Sequence, residues 1–356
     1  MELLKDLCQF NAVSGNEKQL NKYIIDLFGK FCEVYEDKMG NVIATLDNKA
    51  DFTILLEAHT DEIGLMVKNI TENGFIEFFP VGGIDTAIIP GKEVTVHGKK
   101  DLYGVIGAKP PHLMTEQEEK EKITFDKMFI DCGYNKETMD KFVSVGDFIT
   151  FKGDFVTLAN NCFSSKAIDN RMGIYVLYKV LENLLQEKIN ANIVFLCAGQ
   201  EELGCLGAKT AVKSINPDYA IVVDVTHGNS AYIDKFDGFE LGKGPAVGVG
   251  PNFSNKYNRK FVDYCKKYDC QIEVCSGHSG TDAWPIQISN NGIPCSLISV
   301  PIRHMHSQTE LCDFEDILTT VKVISEFIKE EGYVCYKNGR IRFFMESVRR
   351  KMESII

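Results

Sequence analysis

Residues Asn192–Ala208 read "NIVFLCAGQEELGCLGA", and the fold class turns on them. The first seven form an apolar run fit for a buried strand. Gly199 breaks that run, and a helix is expected to begin near Leu203. Strand, turn and helix in succession make one unit of an α/β sheet. The turn holds Glu201 and Glu202 side by side. Adjacent carboxylates repel each other and resist burial unless something positive holds them. A solvated loop needs no such partner, nor does the acidic first turn of a helix, where the macrodipole favours negative charge.

Outward from this unit the alternation continues. "RMGIYVLYKVLENLLQE" (171–187) reads as a helix, "YAIVVDV" (219–225) and "IPCSLISV" (293–300) as strands, and "DFEDILTTVKVISEFIKEE" (313–331) as a long amphipathic helix. Upstream, Ser14 and Glu17 of "SGNE" form a capping box for the helix "KQLNKYIIDLFGKF" (18–31). The segments "CEVYED", "NVIATL" and "FTILLEA" follow as strands, the last a continuous apolar run of the central type. Between about Val67 and Leu158 the texture differs. Short β-branched segments broken by Gly and Pro, such as "GFIEFFPVGG", "KEVTVHG" and "VSVGDFITF", point to a small barrel or sandwich with the charged loop "PHLMTEQEEKEK" inside it. The expected architecture is an α/β domain of residues 1–66 and 159–356, with helices on both faces of its sheet, split by an inserted all-β domain, 67–158.

The chain has 356 residues, enough for a large core. Lys+Arg 39 against Asp+Glu 50 gives a net charge of −11, which argues against nucleic acid or an anionic membrane as partner. The first residues, "MELLKDLCQF", lack the basic start and apolar core of a signal peptide, and no apolar run approaches the ~20 residues of a membrane span. Twelve cysteines are scattered without a C-x-x-C pair, some inside apolar runs. Buried reduced thiols in a cytoplasmic protein fit that pattern better than a disulfide framework.

Ligands of α/β sheets bind beyond the carboxyl ends of the strands. "FTILLEA" is followed by His59 and Asp61, "NIVFLCAGQ" by Glu201 and Glu202, and "YAIVVDV" carries Asp224 at its end, one residue before the last, with His227 beyond. "IPCSLISV" is followed by His304 and His306, and Asp169 stands at the start of the 171–187 helix. Taken singly, each has a plain explanation: a satisfied strand-end histidine for His59, a helix cap for Asp169, a solvated carboxylate for Asp224. In an extended segment His304 and His306 share a face, but only one is needed. Gathered on one rim, the set repels itself unless divalent cations are present. Mixed nitrogen and oxygen donors suit zinc, cobalt or manganese, and five ligands exceed one open zinc site but fit two ions about 3.5–4 Å apart that share a carboxylate.

"AHTDEIG", "AIDNRMG", "QEELGCLGA", "DVTHG", "SGTDA" and "RHMHSQTE", in this order, resemble the glutamyl and tetrahedral aminopeptidases, cytosolic metallopeptidases with two co-catalytic ions. The resemblance spans nearly the whole chain. It implies a zinc-aminopeptidase-like fold, a mixed sheet sandwiched by helices with an inserted barrel-like domain, and removal of N-terminal residues from short peptides. By the same resemblance, His59 and Asp224 are ligands of one ion, Glu202 and His306 of the other, and Asp169 bridges the two. Asp61 orients His59, and Glu201 is the general base. Adjacency thus lets one Glu bind metal while its neighbour moves a proton. The resemblance also implies a homo-oligomer, up to a hollow dodecamer, with the β insertion making subunit contacts. Two departures stand out. The family usually has an aromatic at His304, which keeps that residue open as an alternative ligand, and "CFSSKAIDNR" is unusual before Asp169. Competing activities are a metal-dependent deacylase or amidohydrolase, which shares the hydroxide chemistry, and an endoglucanase, since glycosidases also use paired carboxylates. A glycosidase, however, has no need of His59, His306 and Asp224 on one rim. A non-catalytic protein that kept the fold is disfavoured by Glu201 standing beside five ligands.

Overall fold

The computed structural model describes residues 1–233, 238–277 and 279–330, with the backbone of 335–337 and 340–342. His278, in the Gly- and Ser-rich stretch "CSGHSGTDA" whose sequence fits a pocket lining and a turn equally well, lies outside the described residues. So does most of the segment from Tyr333, "YVCYKNGRIRFFMESVRRKMESII", whose basic end the sequence makes a candidate for docking on the domain or on a neighbouring subunit.

In chain order, β1 (Glu33–Glu36), β2 (Val42–Leu46) and β3 (Thr53–His59) precede the insertion. The insertion carries β4 (Gly64–Ile70), β5 (Ile76–Val81), β6 (Glu93–His97), β7 (Asp101–Ala108), β8 (Met128–Asp131) and β9 (Phe148–Phe151). The chain returns through β10 (Val156–Thr157), β11 (Cys162–Ser165), β12 (Asn192–Ala198), β13 (Tyr219–His227), β14 (Ala246–Val249), β15 (Gln271–Val274), β16 (Cys295–Arg303) and β17 (Glu310–Asp313). Apart from a two-stranded pair at 335–337 and 340–342, the described strands outside the insertion form one eleven-stranded mixed sheet. At its centre β12, β3, β13 and β16 lie side by side and parallel, so their carboxyl ends share one edge.

The helices are α1 (Glu2–Gln9), α2 (Lys18–Phe28), α3 (Lys136–Phe142), α4 (Ile168–Leu184), α5 (Leu206–Ile215), α6 (Lys256–Cys265), α7 (Ala283–Gln287) and α8 (Phe314–Glu330). The two-residue period of a strand sorts them onto two faces. Ile54, Leu56 and Ala58 of β3 pack in one core with α1, α2, α4, α6 and α8. Leu55 points the other way, into a smaller core with Ala208 and Val212 of α5 and Ala283 and Ile286 of α7. Each fully buried aliphatic side chain contributes about 1.5–3 kcal/mol. The expected helix-sandwiched mixed sheet is the observed one.

The insertion closes on itself as a barrel in the order β4-β5-β8-β7-β6-β9, which leaves no free edge. Leu65, Val67, Phe78, Val94, Ile106 and Ile149 fill it. Its strands run from Gly64 to Phe151, and Val156–Thr157, inside the 67–158 segment, pair with β11 on the main sheet.

Candidate metal centre

Register and period bring the strand-end residues together. Glu57 of β3 pairs with Val222 of β13; two residues further on, His59 meets Asp224 on the α5/α7 face. His59 Nε2 lies 3.9 Å from Asp224 Oδ1 and 3.1 Å from Asp169 Oδ1. Asp169 and Asn170 depart from helical dihedrals at the start of α4. The Asp169 carboxyl accordingly serves the rim and does not cap the helix. Its other oxygen, Oδ2, is 3.4 Å from His306 Nε2, which is in turn 3.4 Å from Glu202 Oε1. Asp169 thus stands between two halves, His59 with Asp224 and His306 with Glu202. Donor atoms of His59, Asp169 and Glu202 all lie within 4.8 Å of one another.

The segment carrying His304 and His306 is not extended. Both residues adopt left-handed backbone, φ +58° and +59°, so the shared face expected of them does not exist. His306 turns into the cluster, and His304 is exposed. His227 is exposed as well.

Both histidines are oriented from behind. His59 Nδ1 lies 3.2 Å from the Asp61 carbonyl and 3.4 Å from its carboxylate. His306 Nδ1 lies 2.8 Å from the Gly83 carbonyl. With Nδ1–H donated backwards, each Nε2 keeps its lone pair for the cluster. Gly83 belongs to the insertion, whose sequence shows no chemistry of its own. The only signal is the glycine pair of "PVGG". A Cβ on Gly83 sits 3.0 Å from His306 Nδ1, and one on Gly82, at φ +83°, sits 2.7 Å from Ile63 and 3.3 Å from Glu202.

Asp61 also sets the glutamate pair. Its two oxygens accept the Glu201 and Glu202 backbone N–H groups at 3.0 and 3.1 Å, and the second also accepts the Ser14 hydroxyl. This overturns the capping box. The Ser14 side chain goes to Asp61, Glu17 accepts the Gly15 and Gln200 N–H groups, and α2 has no side-chain cap. A buried carboxylate needing donors outweighs a helix end that water can satisfy. Glu310 has the matching role behind the other half, accepting the Asp169 and His306 N–H groups at 3.1 and 2.9 Å.

The protein's own charges leave this site in conflict. Burial pushes the Glu201 and Glu202 carboxyls up to about 8 each; neighbouring carboxylates add to that push and His59 eases it. Burial, with Asp169 and Glu201 nearby, likewise raises Asp224 well above the ordinary range. Burial disfavours the charged forms of the histidines, yet the carboxylates prevail: His306 is driven up to about 10, chiefly by Asp169 and Glu202, and His59 well up by Asp169 and Asp61. Asp169 gains most from the imidazoles, which hold it low against its burial. Two imidazoles cannot neutralise this many carboxylates.

The cluster floors a cavity of about 670 Å³, whose walls include Thr226, Glu273, Trp284, Ile288 and Met305. That volume is of the size that takes small molecules and short peptides.

The sequence profile of the M42 glutamyl aminopeptidase family matches residues 40–323. A lysyl aminopeptidase of Pyrococcus furiosus is 32% identical over 337 residues, 92% of this chain and 96% of that one. A putative aminopeptidase of Acetivibrio thermocellus is 36% identical, covering 92% and 98%. Among solved structures, the TET1 peptidase of Pyrococcus horikoshii, which can assemble into a tetrahedron or a large octahedral shell, superposes with a TM-score of 0.82 at 33% identity, covering 92% of this chain and 99% of that one.

Proposed function

The chain belongs to the M42 glutamyl aminopeptidase family, and from that premise we propose that it is a dinuclear metallo-aminopeptidase that removes N-terminal residues from short peptides. The observation that carries this is Asp169, flanked on its two oxygens by His59 and His306. His59, Asp169 and Asp224 hold one divalent ion, and His306, Asp169 and Glu202 hold the other. The imidazole and carboxylate donors suit zinc, cobalt or manganese. When bound, the ions supply Lewis acidity, acidifying water and polarising the scissile carbonyl.

Glu201 does the proton work. It belongs to neither half, lines the cavity, and has its backbone fixed by Asp61. Its carboxylate takes the proton of the attacking water and delivers it to the leaving amine.

The catalytic unit is formed by 1–66 and 159–356, and the insertion of 67–158 supplies subunit contacts in a homo-oligomer up to a dodecamer. The tetrahedral or octahedral assembly of the P. horikoshii relative, and the dodecamer of another solved structure, support an oligomer. So do Phe79, Tyr103 and Val145, large apolar side chains exposed on the insertion at 51%, 53% and 69%. No described helix is long and apolar enough to cross a membrane, and the scattered free thiols support a cytoplasmic setting.

An assay of aminoacyl reporters with free and N-acylated amines tests the proposal. Chelation abolishes turnover of the free-amine reporters, and zinc, cobalt or manganese restores it. Turnover of the acylated reporters instead makes the protein a deacylase, and sugar released from cellulose makes it an endoglucanase.

A further inference from the structure

Behind the glutamate pair the chain makes one tight turn. The N–H groups of Gly204 and Cys205 both donate to the Glu201 carbonyl, at 2.8 and 2.7 Å. Cys205, at φ +60° just ahead of α5, is thereby folded back, and its thiol donates to Glu201 Oε1 at 3.2 Å. Asp282, just ahead of α7, brings a carboxyl from the other side. Donor atoms of Glu201, Cys205 and Asp282 all lie within 4.8 Å of one another.

Asp282 is 1% exposed, and neither of its oxygens finds a hydrogen-bond partner of good geometry, although the Glu57 carboxyl and the Cys205 thiol lie against it. Glu57, equally buried two residues before His59, leaves its Oε1 without a partner too. Besides burial, the charges that press on this corner are carboxylates, Asp282 and Asp224 on Glu57, and Asp282 and Glu202 on Glu201, eased by the same His59. Buried polar atoms left without partners are rare and mark a missing proton, water or ion.

We propose that Glu201, Cys205 and Asp282 form a third cation site, which takes a thiophilic divalent ion of the zinc and cadmium class and, when filled, withdraws Glu201 from proton transfer. The consequence for activity rests on the reading of Glu201 as the base. One sulfur and two carboxylate donors select soft and borderline ions over magnesium, calcium or manganese. On binding, the thiol proton leaves to solvent as the metal–sulfur bond forms, the Asp282 oxygens gain a partner, and the Glu201 carboxylate is held. The site differs from the Asp169-centred pair in lacking an imidazole and in containing the base. Turnover therefore rises as the first ions load and falls when a soft ion is in excess.

The test loads metal-free protein with manganese, then titrates cadmium while following bound metal, turnover and the ultraviolet charge-transfer band of a cadmium–thiolate bond. The wild type is expected to bind one cadmium beyond the two-ion site, to show the band, and to lose activity. Cys205→Ala and Cys205→Ser should both lack that band and that equivalent. In each, measured against its own uninhibited rate, half-inhibition should need at least roughly 10–100-fold more cadmium, since losing a ligand costs no less than losing a group that supports one. Asp282→Asn should weaken the same step. A wild-type spectrum identical to that of Cys205→Ala, with two ions bound at saturation, overturns the third site, leaves the two-ion reading standing, and makes Glu57 and Asp282 a proton-sharing pair. Failure to bind manganese overturns the two-ion reading instead, while a cadmium band lost with Cys205 still supports the thiolate site.

Discussion

Asp61 and Glu62 are neighbours in the chain, yet they serve two buried charge clusters that are balanced in opposite ways. Glu62 brings its counter-charges from the protein. Lys166 Nζ reaches its two oxygens at 2.8 and 2.7 Å, Arg171 approaches at 3.4 Å, and the Ala12 N–H donates at 2.9 Å. The same cations fasten the first helix and the β3 end, with Arg171 donating to the Leu7 and Thr60 carbonyls and Lys166 to that of Phe10. On the Asp61 side the carboxylates of Asp169, Glu202, Asp224 and Glu201 share two imidazoles. A buried cluster with its own cations belongs to the fold; one that lacks them is set up for ions from outside.

The sharpest way to break that distinction is at Glu201. Glu201→Gln should retain both metals and lose turnover by a factor of order 10²–10⁴, the usual scale of general acid–base catalysis, whereas Asp169→Asn should lose at least one metal. Metal content falling together with turnover in Glu201→Gln reverses the roles of the two glutamates. The Glu62 cluster should respond in the opposite sense. Lys166→Met leaves Glu62 short of a buried partner and should cost about 3–5 kcal/mol in denaturant unfolding, with metal stoichiometry intact. Adding Glu62→Gln should recover part of the loss. Metal lost in proportion to stability shows that the two clusters are one unit.

Much of this contrast is legible in the sequence, and for a physical reason. Apolar runs end near where parallel strands end, so the residues at or just beyond those ends, His59, Glu201, Glu202 and Asp224, share an edge whatever the details of packing. What supports them is not legible, because it depends on approach between distant segments. The Gly83 carbonyl reaches His306 from the barrel, and Glu310 ties the backbones of Asp169 and His306. Glu57 is hidden inside the apolar run "FTILLEA", where a lone carboxylate reads as strand. Ser14 shows the limit of local rules, since its spacing to Glu17 is that of a capping box while its hydroxyl serves Asp61.

The smallest expected effect is a pH slope that only one cluster should show. Taken as protein groups alone, Glu202 keeps its proton up to about 8 and His306 up to about 10, both raised above their ordinary values. Metal ligation requires the deprotonated forms, so cations displace protons that the protein otherwise retains near neutrality. The sign follows: falling pH favours the protonated site and weakens metal binding, and rising pH strengthens it. Between about pH 6 and 8 the affinity should tighten roughly tenfold per pH unit for each proton released. Calorimetric titration in two buffers of different ionisation enthalpy counts those protons directly. Lys166→Met, which alters only the internally balanced cluster, should leave the slope unchanged. A slope of zero in the parent protein means that the rim carboxylates are neutralised from within after all, and the contrast between the two clusters disappears.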